Sequence, residues 1–172
     1  MAEESVKRGW ARIALVTVPA IVLVGSASGW LSNSGFGNPW FDGLAKPFYM
    51  PPGWVFGMAW TALYTLLGLA LAIILAEPPS DRRRTALVLF FVQLALNFAW
   101  SPIFFAGHDI RLAAIVIFVM LAIAASAGGQ FFRIRPLAGA LMTPYLAWLC
   151  FAATLNTAFY ILNPGAGTSL LG

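Results

Sequence analysis

The sequence predicts an all-α integral membrane protein, a single domain over residues 1–172 that forms a bundle of five transmembrane helices. Hydrophobic residues make up 60% of the chain and charged residues only 9%, whereas about a quarter of a soluble domain is charged. The apolar residues gather into five stretches that are long enough to cross a hydrocarbon core of about 30 Å. Between the first two stretches runs an aromatic-rich connection, the long loop (residues 31–51), which we predict to be a lid.

Five spans follow from the runs of apolar residues and from the residues that interrupt them. Prolines, glycines and charged side chains separate the runs, and such residues end a helix or leave the hydrocarbon. The first span begins like a signal peptide, but we expect it to be retained in the protein. Its Gly25 and Gly29 predict a close helix approach, either within the protomer or between two protomers. The predicted spans are residues 13–30, 52–76, 85–106, 112–132 and 137–162.

The basic residues predict the orientation. Those on the side of the N-terminus are Lys7, Arg8, Arg12, Arg82, Arg83, Arg84, Arg133 and Arg135. Only Lys46 and Arg111 fall on the other side. This bias predicts a cytoplasmic N-terminus and a C-terminus on the opposite face, in an inner or an outer membrane. Because the basic residues are spread over short connections and form no stripe, nucleic-acid binding is not predicted.

A set of aromatic and amide side chains shares one side of the predicted bundle. The topology places the long loop, the end of the third span and the end of the fifth span together. Helical spacing puts the selected residues of each span on one face. They predict one ligand pocket beneath the long loop. The residues are Phe56, Trp60, Tyr64, Gln93, Asn97, Trp100, Ser101, Phe104, Tyr145, Trp148, Ala152, Leu155, Asn156 and Phe159.

The tryptophans divide by their predicted depth. Those at span ends fit the aromatic belt of the membrane interface, and they are Trp10, Trp30 and Trp54. Those too deep for the belt are Trp60, Trp100 and Trp148. The deep set either fills the bundle or lines a ligand site, and the amides of Gln93 and Asn97 either join helices or face the ligand. The aromatic loop beside them favours the ligand site.

Several chemistries are disfavoured by what the spans lack. No Asp, Glu, Lys, Arg or His lies inside them, which argues against proton relays and ion paths. The one histidine, His108, lies in a short turn, so histidine ligation of haem iron or zinc within the bundle is not predicted, and no metal site is expected. Its neighbour Asp109 makes the two look like a catalytic pair, although a turn between helices explains them. The single Cys150 allows no disulfide within the chain. An apolar ligand, flat enough to stack on indoles, is predicted.

Five blocks of sequence resemble one family. They are Trp40 to Leu44 with Lys46 and Pro47, Pro51 to Gly53, Trp60 to Tyr64, Asn97 to Phe105, and Pro144 to Asn156. Together they resemble the translocator proteins, also called tryptophan-rich sensory proteins or peripheral benzodiazepine receptors, with this chain as a bacterial member. The resemblance implies a homodimeric five-helix bundle that binds porphyrins, sterols and isoquinoline or benzodiazepine drugs beneath the long loop. It implies no required cofactor, with porphyrin as ligand or substrate.

The resemblance also assigns residues and functions. It implies a cavity formed by Trp60, Asn97, Trp100, Trp148, Ala152 and Leu155, with Trp40 and Pro51 in or near the lid. The leading hypothesis is a membrane receptor or sensor for protoporphyrin IX, haem-like tetrapyrroles and related apolar ligands. The alternatives are an enzyme that degrades protoporphyrin oxidatively in light, with Trp60 and Trp148 as catalytic residues, and a carrier of porphyrin or lipid.

Two features of the sequence depart from the family pattern. No basic residue follows Tyr160 at the end of the fifth span, so sterol binding through the family's sterol motif is not predicted. On the third span, the large side chains of Phe90, Phe91 and Val92 interrupt the small residues of the family's dimer face and leave Ala95 and Ala99. The geometry of a homodimer would therefore differ from the family's.

Overall fold

A computed structural model describes the backbone of residues 2–167 and the side chains of residues 9–167. This part of the chain contains helices and no strand. A segment of π-helix, Pro102–Ala106, continues the fourth helix. The α-helices are α1 (Ala2–Leu31), α2 (Pro39–Asp42), α3 (Gly53–Leu75), α4 (Asp81–Ser101), α5 (Ile110–Ile134) and α6 (Pro136–Leu162).

Five of these helices are long and apolar enough to cross a membrane. The candidate spans are Gly9–Leu31, Gly53–Leu75, Asp81–Ala106, Ile110–Ile134 and Pro136–Leu162. The predicted all-α membrane bundle of five spanning helices is therefore confirmed. Two helices begin well before their predicted spans: α1 begins at Ala2 instead of residue 13, and α4 begins at Asp81 instead of residue 85. The Ser80 side chain accepts a hydrogen bond from the Arg83 backbone N–H at 3.2 Å, and this cap starts the helix four residues early.

The five long helices form a closed ring. Helix α1 packs on α3, α3 on α6, α6 on α5, α5 on α4, and α4 again on α1. The solid part of the core lies near the α3–α4 turn, away from the long loop. Side chains from four helices are fully buried there, including those of Leu67, Ile74, Phe90, Phe131 and Met142. The other half of the ring, under the long loop, contains a cavity.

Glycines set how closely α1 approaches α3. A Cβ atom at Gly68 would lie 2.6 Å from the Val18 Cα atom, so the two backbones touch at this level. The Thr17 hydroxyl donates a hydrogen bond to the Gly68 carbonyl at 2.8 Å. One or two turns closer to the loop, Gly25 lies against the ring of Tyr64, where any side chain would overlap it. Gly25 thus serves a contact within the protomer, one of the two possibilities that the sequence left open.

The long loop is an ordered structure built around α2. The Asn38 side-chain oxygen caps this short helix by accepting hydrogen bonds from the backbone N–H groups of Trp40 and Phe41. The Asn38 amide donates to the Phe105 carbonyl at 3.2 Å, which attaches the loop to the π-helical segment. Phe41 is buried against that segment and against Phe159 of α6.

The end of α6 holds the other half of the loop. The Asn163 side chain accepts a hydrogen bond from the Ala45 N–H at 2.7 Å and donates one to the Ala45 carbonyl at 3.0 Å. The Trp40 indole N–H donates to the Ala166 carbonyl at 2.9 Å. Lys46 donates from its ammonium group to the carbonyls of Phe41, Asp42 and Leu44. The loop is therefore fixed over the end of the helix ring by its own polar contacts.

Candidate functional site

A cavity of about 630 Å³ lies inside the ring of helices, beneath the long loop. Each of the five long helices, the π-helical segment and the loop contribute to its wall. Twelve of the sixteen residues that the sequence predicts for the pocket or its lid line it. They are Phe56, Trp60, Tyr64, Asn97, Trp100, Ser101, Phe104, Trp148, Ala152, Leu155, Asn156 and Phe159.

An aromatic wall crosses the cavity between α3 and α6. The ring of Trp148 meets the ring of Trp60 edge to face, with centroids 6.3 Å apart, and meets the ring of Phe56 in the same way at 5.8 Å. Trp60 in turn lies 5.2 Å from the ring of Tyr64. Edge-to-face pairs hold each other's orientation, so this wall offers a preformed apolar surface.

Trp100 is held by a second set of contacts on the α4 side. Its ring stacks on Phe104 with centroids 5.0 Å apart. Its indole N–H donates a hydrogen bond to the Asn156 side-chain oxygen at 3.1 Å, and the Asn156 amide donates to the Ile110 carbonyl at 3.0 Å. These bonds tie α4, α5 and α6 together at the cavity and occupy the polar atom of Trp100.

A buried network of side-chain hydrogen bonds begins at the cavity wall and leads away from it. The Tyr64 hydroxyl donates to the Asn97 oxygen at 2.8 Å, and the Asn97 amide donates to the Tyr145 hydroxyl at 3.2 Å. The Tyr145 hydroxyl donates to the Gln93 oxygen at 2.6 Å. This network consists of neutral groups, so it fixes helices α3, α4 and α6 without placing a charge in the membrane interior.

Two buried polar atoms have no hydrogen-bond partner within residues 9–167. They are the side-chain amide nitrogen of Gln93 and the indole nitrogen of Trp148. Gln93 lies outside the cavity lining, whereas Trp148 lies within it. A buried donor without an acceptor costs about 1–3 kcal/mol, so such groups call for a specific explanation. Trp148 is thus a cavity-lining side chain whose polar atom is unpaired among the described residues.

Four predicted residues lie outside the lining. Gln93 and Tyr145 belong to the buried hydrogen-bonded network, and Trp40 and Pro51 belong to the long loop. The Trp40 ring stacks on the imidazole of His108 at 4.4 Å between centroids, and its edge meets Phe104. It thus joins the loop to the α4–α5 turn and leaves the cavity wall to other residues. Pro51 lies at the end of the loop, two residues before α3 begins. Trp40 therefore supports the loop rather than the cavity itself.

His108 and Asp109 have structural roles. The Asp109 side chain accepts a hydrogen bond from the Leu112 N–H at 2.8 Å and so caps the start of α5. His108 has a φ of 55° in the tight turn and presents its ring to Trp40. Among the described residues, no group of three or more His, Cys, Asp or Glu side chains could hold a metal ion.

The π-helical segment shapes the wall next to the loop. Pro102 has no N–H, so it cannot donate to the Phe98 carbonyl one turn earlier. The Ser28 hydroxyl of α1 donates to that carbonyl instead, at 2.6 Å. The wider turn closes where the Gly107 N–H donates to the Pro102 carbonyl at 2.8 Å. Such bulges are frequent at functional sites, and here the segment directs Phe104 and Phe105 inward, where both are buried.

The sequence reasoning missed several lining residues. Those of the loop and of α5 include Phe36, Phe41, Met50, Ile117 and Met120. The two α5 residues lie three apart on the buried face of that helix, a spacing that could have found them. Trp30 was assigned to the aromatic belt, yet it also lines the outer edge of the cavity.

The fold and the cavity define the class: an integral membrane bundle of five helices with an aromatic, largely apolar cavity beneath an ordered loop. Residues 16–162 match the TspO/MBR family. The chain is 37% identical to the "Tryptophan-rich protein TspO" of Archaeoglobus fulgidus, over 87% of this chain and 95% of the relative. It is 37% identical to the "Translocator protein" of Sus scrofa, over 86% and 92% respectively. It is 39% identical to the "Tryptophan-rich sensory protein" of Cereibacter sphaeroides, over 73% and 78%.

This chain therefore belongs to the TspO/MBR family. The resemblance that the five sequence blocks indicated is confirmed. The matched region includes all five blocks and every residue assigned to the cavity.

Proposed function

We propose that this protein is a membrane receptor or sensor that binds flat, apolar ligands of the tetrapyrrole class, such as protoporphyrin IX, in the cavity beneath the long loop. The cavity volume of about 630 Å³ lies within the range of about 300–1,000 Å³ that small-molecule sites occupy. Aromatic rings suit a planar ligand, and the same surface would accept isoquinoline or benzodiazepine drugs. The names of two relatives, a sensory protein and a translocator protein, agree with a role in recognition.

The indole N–H of Trp148 is the observation that carries this proposal. It is buried without a partner among the described side chains and backbone groups, and it lies in a wall of rings that supplies only apolar contacts. A small rotation of the indole ring would bring this N–H to the cavity surface, where a ligand carbonyl or carboxylate oxygen would relieve the unpaired donor. The site therefore favours a ligand with a large ring system and at least one acceptor over a plain hydrocarbon.

Filling the cavity from α6 tests the proposal. Ala152 lines the cavity, whereas Ala147 on the same helix faces outward. We expect Ala152→Ile to weaken binding of protoporphyrin IX about tenfold, because added methylenes in a packed site cost about 1–3 kcal/mol. The matched Ala147→Ile should bind like the parent protein. Titration in nanodiscs, followed by the porphyrin absorption band, measures both, and equal affinities for the two variants would contradict the site.

A second candidate function, light-dependent oxidation of protoporphyrin by dioxygen, is favoured by one observation. Oxidisable rings form a continuous path from the cavity, since Trp148 contacts Trp60 and Trp60 contacts Tyr64. On this hypothesis, Trp60→Phe and Trp148→Phe lower the rate of pigment loss under light much more than they lower affinity. Illuminating the aerobic complex separates the two functions, because a receptor leaves the pigment intact.

A further inference from the structure

Within residues 9–167, exposed residues line the cavity along one side only. Its lining residues from α4, the π-helical segment, α5 and α6 are all buried or half-buried. The exposed ones come from α1, the start of the long loop and α3. They are Ser26, Trp30, Asn33, Ser34, Phe36, Gly53, Gly57 and Thr61. The opening of the cavity therefore lies between α1 and α3.

This opening extends from the loop end of the bundle along the helices, toward the middle of the membrane. Thr61 lies about eight residues into α3, which is roughly 12 Å at 1.5 Å per residue. A mouth at the end of the bundle would expose only the first turn of α3. The exposed lining residues at this depth therefore open the cavity through the side of the bundle, toward the hydrocarbon of the surrounding bilayer. The neighbouring outward side chains suit that position, because Trp30, Trp54 and Met58 are apolar and 81%, 67% and 66% exposed.

Packing on either side of the opening explains why α1 and α3 separate here. Away from the loop, the contacts of Gly68 with Val18 and of Gly25 with Tyr64 bring the helices together. Nearer the loop, the Ser28 hydroxyl binds the Phe98 carbonyl and holds α1 to α4. Helix α1 is thus attached to α4 at the level where its distance from α3 must grow.

Small residues leave the opening unobstructed. A Cβ atom at Gly57 would meet nothing within 4 Å, and one at Gly29 would meet only the Ser34 hydroxyl at 3.9 Å. The Thr61 hydroxyl donates to the Gly57 carbonyl of its own helix at 2.8 Å. The α3 side of the slot therefore presents mainly apolar atoms, which suits passage of an apolar molecule.

We propose that the slot between α1 and α3 is a lateral portal through which an apolar, membrane-dissolved ligand moves between the bilayer and the cavity. This inference rests on the proposed function and adds the source of the ligand, which is the lipid phase rather than the water above the long loop. A portal of this kind would also allow the protein to act as a carrier that releases its ligand into the membrane.

Substitution of Gly57 tests the portal, because the dissociation rate of the ligand should fall if the slot is blocked and rise if only the cavity is made smaller. Protoporphyrin IX is bound to the protein in phosphatidylcholine nanodiscs, and its transfer to empty acceptor vesicles gives the dissociation rate. We expect Gly57→Leu to slow dissociation about tenfold, because a leucine side chain fills the slot that the ligand must cross. A leucine that merely took volume from the cavity would weaken binding and speed dissociation. Gly57→Ala, a smaller change, should slow it less.

Two control variants complete the test. Gly129 on α5 is exposed, and a Cβ atom there would meet nothing within 4 Å, so Gly129→Leu should leave the rate unchanged. Asn163→Ala removes the bonds between α6 and the loop and should also leave it unchanged. Slower release by the Gly57 variants, with unchanged release by both control variants, supports the portal. Unchanged or faster release from Gly57→Leu, or faster release from Asn163→Ala, would overturn it. Absence of saturable binding by the parent would overturn the proposed function and the portal together.

Discussion

The pair of variants Trp148→Phe and Trp100→Phe tests the site most directly. Both tryptophans are half-buried and line the cavity, so replacement by phenylalanine removes a similar amount of ring surface. They differ in the indole N–H. That of Trp100 donates to Asn156 at 3.1 Å, whereas that of Trp148 has no partner among residues 9–167. The comparison therefore isolates the polar atom.

The expected magnitudes follow from this difference. Trp100→Phe loses one hydrogen bond between helices, which in a membrane protein is worth about 0.6 kcal/mol on average and at most about 1.7 kcal/mol. Trp148→Phe loses none and removes an unpaired buried donor, so its free energy of unfolding should exceed that of Trp100→Phe by at least this amount. Binding should show the opposite order. A lost ligand hydrogen bond of about 0.5–1.5 kcal/mol makes the Kd of Trp148→Phe about two- to twelvefold larger.

Two measurements check these values. Reversible unfolding in mixed detergent micelles gives the free energy of unfolding, and titration with protoporphyrin IX, followed by porphyrin absorption, gives the Kd. The role assigned to the Trp148 N–H is refuted if Trp148→Phe destabilises the unliganded protein as much as Trp100→Phe does and leaves the Kd at the parent value. Trp148 would then be a filler of the bundle with no role in recognition.

Other predictions concern the long loop, the core and the topology. Bound protoporphyrin IX should slow hydrogen exchange of residues 31–51, and unchanged exchange at saturation would make the loop a connector rather than a lid. Tyr145→Phe removes two hydrogen bonds and should lower the free energy of unfolding by about 1 kcal/mol in the micelle assay. Gly25→Ala forces a side chain against a ring of α3 and should cost about 1–3 kcal/mol in the same assay. Fusion reporters should read cytoplasmic at Ser80 and exterior at the C-terminus, and the reverse would contradict the predicted orientation.

The sequence alone was enough to predict the helices, because the bilayer leaves few choices. In hydrocarbon each backbone polar group must be paired within the protein, so a long apolar stretch has to become a helix. Boundaries outside the hydrocarbon are less constrained. The early start of α4 shows this, since Arg83 lies in the first turn and its guanidinium donates to the carbonyls of Ile74 and Leu75 at the end of α3. The local sequence around Arg83 does not indicate that its side chain binds the end of the preceding helix, α3.

Helical periodicity also identified most of the cavity residues on α3, α4 and α6. Positions on one face of a helix stay together whatever the rest of the fold does, and so the stripes on α3, α4 and α6 could be recognised in the chain. The long loop has no regular periodicity from which its cavity residues could be identified. Trp40 stacks on His108 and binds Ala166, while Phe36 and Met50 reach the cavity. Their positions depend on where the loop is attached.

Only the tertiary structure decided the form of the opening and of the wall beside it. At the π-helical segment, Pro102 leaves the Phe98 carbonyl without its usual donor, and the donor that binds it, Ser28, lies 70 residues from Phe98 in the chain. At the proposed opening, that bond holds α1 to α4, and the contact of Gly25 with Tyr64 holds α1 to α3 farther from the loop. Sequence patterns describe which residues share a helix face, but pairing between faces is settled by contacts between distant residues. For that reason the helices of this protein could be predicted from its sequence, whereas the side on which its cavity opens could not.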